Sequence, residues 1–209
     1  MIKQLLIVIG ISTVLLGCST PEYLSEEALK AYVLESENGV TKKHETNGFQ
    51  SIVTLRPNDL LILQETRGEV EVDSTTLKKL SNKYKDYYYF ILSLSKESKE
   101  AEYQTGKGFG QFSDVVQTLS FRMADYVNLT TNTQDTIPVG DYIYPRTFGM
   151  SNASTLMFAF NKEKTIDKEW IQFNMKEFGL GIGNQNFRFK IEDLTKVPKI
   201  NFVIKDAKN

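Results

Sequence analysis

Apolar and polar side chains alternate in several short segments of the C-terminal half of the chain. Residues 187–191 alternate most cleanly, with phenylalanine and isoleucine separated by arginine and lysine. Because successive side chains of a strand point to opposite faces, this pattern predicts a half-buried strand. Residues 142–144, 156–160 and 171–175 alternate too, and turn-rich segments separate them. Short strands, regular turns and no long helical pattern predict a sandwich-like antiparallel arrangement of this half.

A β-hairpin is predicted in the N-terminal half, where an Asn-Gly dipeptide joins residues 40–45 to residues 49–55. Asn-Gly is the strongest short-range hairpin signal, because both residues tolerate the positive φ of a type I′ turn. A two-residue loop fixes the register and pairs His44 with Ser51. His44 then shares a face with the apolar residues of the second strand, which are Phe49, Val53 and Leu55.

Further segments add helices and one central strand. Ser25 and Ser74 each precede apolar residues at helical spacing, and residues 60–64 predict another short helix. Residues 87–94 are apolar on both alternating faces, which is typical of a strand in the middle of a sheet. The expected fold class is therefore α+β and strand-rich, with antiparallel sheets and a few short helices.

The middle of the chain is predicted to be less regular. Residues 112–117 favour a short helix, and residues 119–123 alternate as a half-buried strand would. Residues 128–135 are rich in Asn, Thr and Asp, which predicts a loop. The region 128–136 is the best candidate for an internal boundary, although residues 25–209 are expected to form a single domain.

The first residues of the chain have the pattern of a secretory signal peptide. A start containing Lys3 precedes an apolar run at 5–16, and the run ends in Gly17-Cys18. Such a basic tip, short apolar stretch and small-residue exit are typical of a leader that is removed. The run is too short for a membrane-spanning helix, which needs about 20 apolar residues.

The end of this leader, Leu15-Leu16-Gly17-Cys18, resembles the lipobox of bacterial lipoproteins. The resemblance implies that the Cys18 sulfur carries diacylglycerol, that cleavage precedes Cys18, and that the new amino group often receives a further acyl chain such as palmitate. The chain then divides into a signal peptide at 1–17, a tether at 18–24 and the domain. Ser19, rather than Asp, after the cysteine resembles the pattern of outer-membrane lipoproteins. The alternative is a chance cysteine in a leader that is cut elsewhere or retained.

Composition narrows the possible chemistry. Cys18 is the only cysteine of 209 residues, so a lipidated chain has no disulfide, thiol nucleophile or thiolate metal site. The 25 Lys and Arg nearly balance the 26 Asp and Glu, and this balance predicts no nucleic-acid partner. Thirteen Phe and ten Tyr supply the packing of the core.

No catalytic, metal or cofactor motif stands out. His44 is the only histidine, and a structural or rim role is favoured over a catalytic one because no nucleophile or metal partner lies at readable spacing. The glycines at 106–110 lack the spacing of a phosphate loop. Those at 179–183 lead into a strand, so they predict a bend or a close backbone approach rather than a dinucleotide site. No cofactor is implied.

Two groups of side chains are candidates for binding. The stretch with Tyr142, Tyr144 and Arg146 combines residue types that recognition sites favour, with a strand end of buried tyrosines as the alternative. Trp170 joins the tyrosines as a candidate sugar platform. The lysine cluster could meet anionic headgroups or an acidic partner, or form a solvated helix face; it consists of Lys78, Lys79, Lys83 and Lys85.

Together these patterns predict a non-catalytic binding or assembly module in the bacterial cell envelope. It is held to the bilayer, with the outer membrane favoured, through acylated Cys18, and its expected partner is another envelope protein. The alternative is a ligand-binding or carbohydrate-active lipoprotein that uses surface aromatics.

Overall fold

The computed structural model describes residues 23–106 and 108–205. The predicted signal peptide and Cys18 lie outside the described residues. Of the predicted tether, Tyr23 and Leu24 lie within them.

Two antiparallel sheets contain most of the strands. In chain order the strands are β1 Tyr23–Leu24, β2 Thr41–Thr46, β3 Phe49–Leu55, β4 Glu71–Asp73, β5 Tyr87–Lys96, β6 Lys99–Glu100, β7 Val127–Thr131, β8 Thr136–Pro138, β9 Asp141–Ile143, β10 Ser154–Asn161, β11 Trp170–Met175, β12 Gln185–Lys190, β13 Lys199–Ile200 and β14 Val203–Lys205. The first sheet has the order β2-β3-β5-β10-β9, with β6 paired to β5, and the second has the order β12-β11-β7-β8. β1 pairs with β13, and β4 with β14, in two small parallel sheets.

Short helices flank these sheets. They are α1 Glu26–Leu34, α2 Asn58–Glu65, α3 Ser74–Tyr84, α4 Phe109–Gln117, α5 Met123–Tyr126 and α6 Ile191–Thr195. Ser25 caps α1 as predicted, since its hydroxyl accepts a hydrogen bond from the Ala28 N–H at 3.2 Å. The cap of α3 is Asp73 rather than Ser74. None of the described helices combines the length and apolar character that a membrane crossing requires. The α+β, strand-rich prediction is confirmed.

Phenylalanine rings fill the space between the two large sheets. The Phe90 ring of β5 lies 6.1 Å from the Phe173 ring of β11 and 5.0 Å from the Phe189 ring of β12, centroid to centroid. Phe158 and Phe160 of β10 also contact Phe173, and all five rings are fully buried. The sandwich is thus not confined to the C-terminal half, because β3 and β5 from the N-terminal half form the middle of one layer.

The β2–β3 hairpin has the predicted register. Asn47 and Gly48 both have positive φ, 54° and 75°, as a type I′ turn requires. His44 lies opposite Ser51, and its ring stacks on Phe187 of the second sheet at a centroid distance of 4.5 Å. The hairpin therefore joins one edge of the sandwich, and His44 has the structural surroundings that the sequence favoured.

The prediction of a strand at 119–123 is wrong. α4 continues through a π-helical turn at Thr118–Arg122 into α5. Leu119 and Met123 are both fully buried and lie four positions apart, so they share one helical face. Phe121 between them is 81% exposed. The prediction failed because apolar residues at every second position, here 119, 121 and 123, also occur in a half-buried strand.

The prediction of a loop at 128–135 is also wrong for residues 128–131. Residues through Thr131 belong to β7, which pairs with both β11 and β8. Val127, Leu129 and Thr131 are buried, whereas the intervening Asn128 and Thr130 are only partly buried. The polar side chains that suggested a loop therefore occupy the outer face of a strand.

Candidate functional site

One end of the sandwich displays a cluster of large apolar side chains. This aromatic end is formed by Tyr103, Phe109, Phe112, Phe148 and Met150. Among these residues, Met150 and Phe109 are the most exposed, with 84% and 82% of their surface accessible to solvent, and Phe148 follows at 65%. The segments that carry them follow β6 and precede β10, so the cluster lies beside the Lys96 end of β5 and the Ser154 end of β10.

The rings of Tyr103, Phe109 and Phe112 are contiguous. The ring centroid of Phe112 lies 5.1 Å from that of Tyr103 and 6.3 Å from that of Phe109. Gly149 lies against the Tyr103 ring, since a Cβ at this position would be 3.8 Å from two of its atoms. Gly149 lies between Phe148 and Met150 in the chain, so the loop that bears these two side chains runs beside the ring cluster.

The surface is comparable in size to the largest apolar patch of a typical monomer. If each side chain offers about 200 Å² when fully exposed, the cluster presents roughly 500 Å² of apolar residue surface. The largest apolar patch on a typical monomer covers about 300–600 Å² and is often functional. A standard protein interface buries about 800 Å² on each partner, so this cluster could form its apolar centre.

Buried Glu100 fixes the loop that carries Phe148 and Met150. Its carboxylate accepts hydrogen bonds from the Thr147 hydroxyl, from the Gly149 N–H at 2.7 Å and from the Ser151 N–H at 3.0 Å. Burial alone would raise the pKa of Glu100, but these hydrogen bonds outweigh it and lower the pKa. The carboxylate is therefore held in its charged form, which ties the loop to the β5–β6 hairpin.

Glu102 fixes the start of the same loop. Its two carboxylate oxygens accept hydrogen bonds from the hydroxyls of Tyr144 and Ser154. Burial and the hydrogen bond to Glu102 raise the pKa of Tyr144, so this phenol remains protonated. Glu100 and Glu102 are both only 1% exposed and all four of their oxygens have donors. This arrangement stabilises a loop and presents no carboxylate to a substrate.

The predicted binding residues are only partly brought together. Tyr144 leads into the loop of the aromatic end, and the Arg146 guanidinium lies 4.7 Å from the ring centroid of Phe148. The Tyr142 ring instead stacks on buried Phe158, and its hydroxyl accepts a hydrogen bond from the Met123 N–H at 3.2 Å.

Trp170 lies apart from the two tyrosines. It begins β11 after the loop that follows the Asn161 end of β10, whereas Tyr144 shares the Glu102 carboxylate with Ser154 at the opposite end of β10. The Arg188 guanidinium covers its ring at 3.9 Å from the centroid. Trp170 and the tyrosines therefore do not form one continuous platform for a sugar.

The glycine-rich loop at 179–183 makes the close backbone approach that the sequence suggested. The carboxylate of Glu177 accepts four backbone N–H bonds of 2.6–2.8 Å, and the donors are Gly179, Gly181, Ile182 and Gly183. All three glycines have positive φ, and such a concave array of N–H groups is typical of anion sites. Here the anion belongs to the chain itself.

This loop also supports the aromatic end. The Gln111 amide donates a hydrogen bond to the Gly179 carbonyl, and the Asn47 amide donates one to the Gly181 carbonyl at 2.7 Å. Gln111 lies in α4 between Phe109 and Phe112, so Glu177 indirectly holds the helix that presents both rings.

The sequence analysis missed Phe109, Phe148 and Met150. A signal was present, because all three residues stand beside glycines in turn-rich segments rather than in periodic ones. Of the predicted lysine cluster, Lys83 forms an ion pair with Glu65 at 2.5 Å, and Lys78 and Lys79 are exposed. No group of three or more His, Cys, Asp or Glu side chains within 23–106 and 108–205 is arranged to hold a metal ion.

No family model and no curated protein matches the chain. A solved structure of a protein of unknown function from Burkholderia pseudomallei aligns with a TM-score of 0.40 and 10% identity, over 82% of this chain and 88% of that one.

Proposed function

We propose that this protein is a lipid-anchored envelope lipoprotein whose domain docks another envelope protein through its aromatic end. The exposed apolar cluster of Tyr103, Phe109, Phe112, Phe148 and Met150 carries the proposal, because an apolar patch of this size is often functional and is large enough to form the apolar centre of a protein interface. The anchor rests on the lipobox-like segment that ends in Cys18.

The position of the N-terminal strand supports this arrangement. Leu24 of β1 pairs with Ile200, whose N–H donates a hydrogen bond to Asp59 of α2 at 2.7 Å. α2 follows the Leu55 end of β3, whereas the aromatic end lies beside the Phe49 end and the paired Lys96. β5 spans the two ends, and its ten residues extend about 30 Å at ~3.3 Å each.

An acylated Cys18 would therefore hold the domain with its aromatic end away from the bilayer. The segment between Cys18 and Tyr23 spans roughly 18 Å when fully extended, at about 3.5 Å per residue. The anchored end would stay near the lipid surface, and the exposed rings would face away from the bilayer. A protein partner fits this placement better than the anchoring bilayer itself.

In vivo crosslinking tests the docking surface. Phe148→Ser should abolish capture of a stoichiometric partner, because it removes the exposed ring of the loop that Glu100 holds. Ile166→Ser is the matched control, since Ile166 is also 65% exposed but lies between β10 and β11 near the opposite end. Equal loss of crosslinking in both variants, or no stoichiometric partner for the unaltered protein, would contradict docking at this surface.

A separate experiment tests the anchor. Cys18→Ala should leave the precursor uncleaved and without radiolabelled fatty acid, whereas Phe148→Ser should be labelled normally. Labelling of the Cys18→Ala variant at the level of the unaltered protein would refute the anchor and leave the docking surface to be judged by the crosslinking result.

A further inference from the structure

A second site lies at the other end of the molecule, in a cavity of about 550 Å³. Its walls come from five separate parts of the chain: the Leu55 end of β3 with the start of α2, one face of α3, Tyr88 of β5, Lys162 after β10, and the segment from Leu194 to Phe202. Ligand pockets typically have volumes of about 300–1,000 Å³. The cavity is therefore large enough for a small organic molecule.

Much of the wall is apolar. Tyr88 is buried in it, and the side chains of Leu77, Val197 and Phe202 are only partly buried, so they keep apolar surface that a ligand could cover. Removing such surface from water is favourable by about 25 cal/mol per Å². The wall thus favours a ligand that has an apolar part.

Four cationic side chains line the same cavity, namely Arg56, Lys85, Lys162 and Lys199. Within the described parts of the chain, none of the four has a carboxylate oxygen within 4 Å, although six ion pairs form elsewhere. Clustered cations repel one another and are costly to desolvate without a counter-charge.

Two of these cations are already partly desolvated. Burial lowers the pKa of Arg56 and of Lys162, and Glu26 and Asp86 offset this effect only in part and from a distance. The Lys162 ammonium lies 4.7 Å from the Tyr88 ring centroid and donates one hydrogen bond, to the Lys85 carbonyl at 3.0 Å. It keeps two further N–H donors for a ligand.

The one carboxylate in the wall forms no ion pair with these cations within 4 Å among the described residues. Asp59 accepts the Ile200 N–H at 2.7 Å, and burial raises its pKa despite that bond and the nearby Lys199. The cavity therefore combines a cationic rim with an apolar wall and lacks a paired anion of its own among the lining residues.

We propose that this cavity binds an anionic amphiphile, with its phosphate or carboxylate group at Lys162 and Arg56 and its apolar group against Leu77 and Phe202. The cavity adjoins β13, which pairs with β1, so it lies at the end from which the N-terminal segment leaves. Bilayer lipid is one source of such a ligand, and that source alone rests on the proposed anchor. A soluble metabolite with the same chemistry is the other.

Calorimetric titration of the full chain in nanodiscs of zwitterionic lipid tests the proposal, with empty nanodiscs as the blank. Octyl phosphate should bind at least tenfold more tightly than inorganic phosphate or octanol. Only octyl phosphate has both a phosphate group for the cationic side chains and an apolar chain for the apolar wall. Equal affinity for octyl phosphate and inorganic phosphate would overturn the apolar part of the site. Equal affinity for octyl phosphate and octanol would overturn the cationic part.

Variants locate the site. Lys162→Gln should weaken octyl phosphate binding at least tenfold, because it removes a charged hydrogen-bond donor. Lys85 lies at an exposed position of the rim, so its substitution should not affect folding. Lys85→Gln should weaken octyl phosphate binding about threefold. Lys43→Gln, on the exposed face of β2, should leave it unchanged. The assignment to this cavity would be overturned if the unaltered protein and the three variants bound octyl phosphate equally well. It would also be overturned if Lys43→Gln lost as much affinity as Lys162→Gln.

The lipid composition of the nanodiscs separates the two sources. Anionic phosphatidylglycerol should compete with octyl phosphate if bilayer lipid reaches the cavity. An unchanged affinity would assign the site to a soluble anionic amphiphile. Because these measurements do not involve the aromatic end, their failure would leave the crosslinking result on protein docking unaffected.

Discussion

Replacing Glu177 with alanine should destabilise the protein by about 2–4 kcal/mol. The side chain accepts four backbone N–H bonds, and hydrogen bonds to charged groups contribute about 1.5–3 kcal/mol each when water cannot replace them. Gly181 and Gly183 are exposed, so water can serve their N–H groups after the substitution. The N–H groups of Gly179 and of buried Ile182 account for most of the expected cost.

The pH dependence gives this prediction a second observable. Burial would raise the pKa of Glu177, but the backbone N–H bonds outweigh it and lower the pKa. A carboxyl whose pKa is lower in the folded state contributes its full stability above the unfolded value of about 4.3, and loses it as the pH falls through the folded pKa. The difference between Glu177→Ala and the unaltered protein should therefore shrink below about pH 4.

Urea unfolding at pH 7 and at pH 3 would measure both effects. For a chain of this size, 1 kcal/mol shifts the melting temperature by about 2–4 °C, so thermal scans should show a loss of roughly 4–16 °C at pH 7. Glu169→Gln is the control, because Glu169 is an exposed carboxylate whose side chain has no hydrogen-bond partner among the described residues. A loss below about 0.5 kcal/mol, or one that is the same at both pH values, would refute the role assigned to the carboxylate.

Three further predictions follow from the packing and the loops. Phe173→Ala should cost about 3–5 kcal/mol in urea unfolding, because the ring is fully buried between the sheets, whereas Phe121→Ala should change stability by less than about 0.5 kcal/mol. Glu100→Gln should accelerate amide hydrogen exchange at Gly149 by about tenfold or more, since a weaker acceptor replaces the buried carboxylate. Gly39→Ala should cost more than Gly68→Ala: both positions have positive φ, which costs about 1–2 kcal/mol, but only at Gly39 would the new Cβ meet a side chain, 2.3 Å from Asp193 Oδ2. Equal midpoints for the two glycine variants would contradict the proposed contact.

Local signals explain which parts of the fold the sequence predicted. The Asn-Gly turn needs only its own backbone preferences, so the register of β2 against β3 followed from neighbouring residues. The strands β10, β11 and β12 followed from their alternation. Leu119 and Met123 misled the interpretation, because residues four apart in a helix are also an even number apart in a strand.

The two candidate sites depend on contacts between distant residues. Gly149 and Ser151 receive their hydrogen-bond acceptor from Glu100, about fifty positions earlier, and no periodicity in either segment indicates this pairing. The cations Arg56 and Lys162 come from the ends of different strands and meet only when β3 and β10 join the same sheet. Sequence patterns predict which face of an element is buried, but they do not predict which distant loops converge.

The carboxylate of Glu100 has a consequence for the kinetics of docking. Its hydrogen bonds to Thr147, Gly149 and Ser151 already hold the backbone that bears Phe148 and Met150 in one conformation. A partner that docks there as proposed would not have to order this loop. Less conformational entropy is lost on association, so affinity gained in this way appears chiefly as slower dissociation. A substitution of this buried acid should therefore shorten the lifetime of the proposed complex without changing any residue of the docking surface.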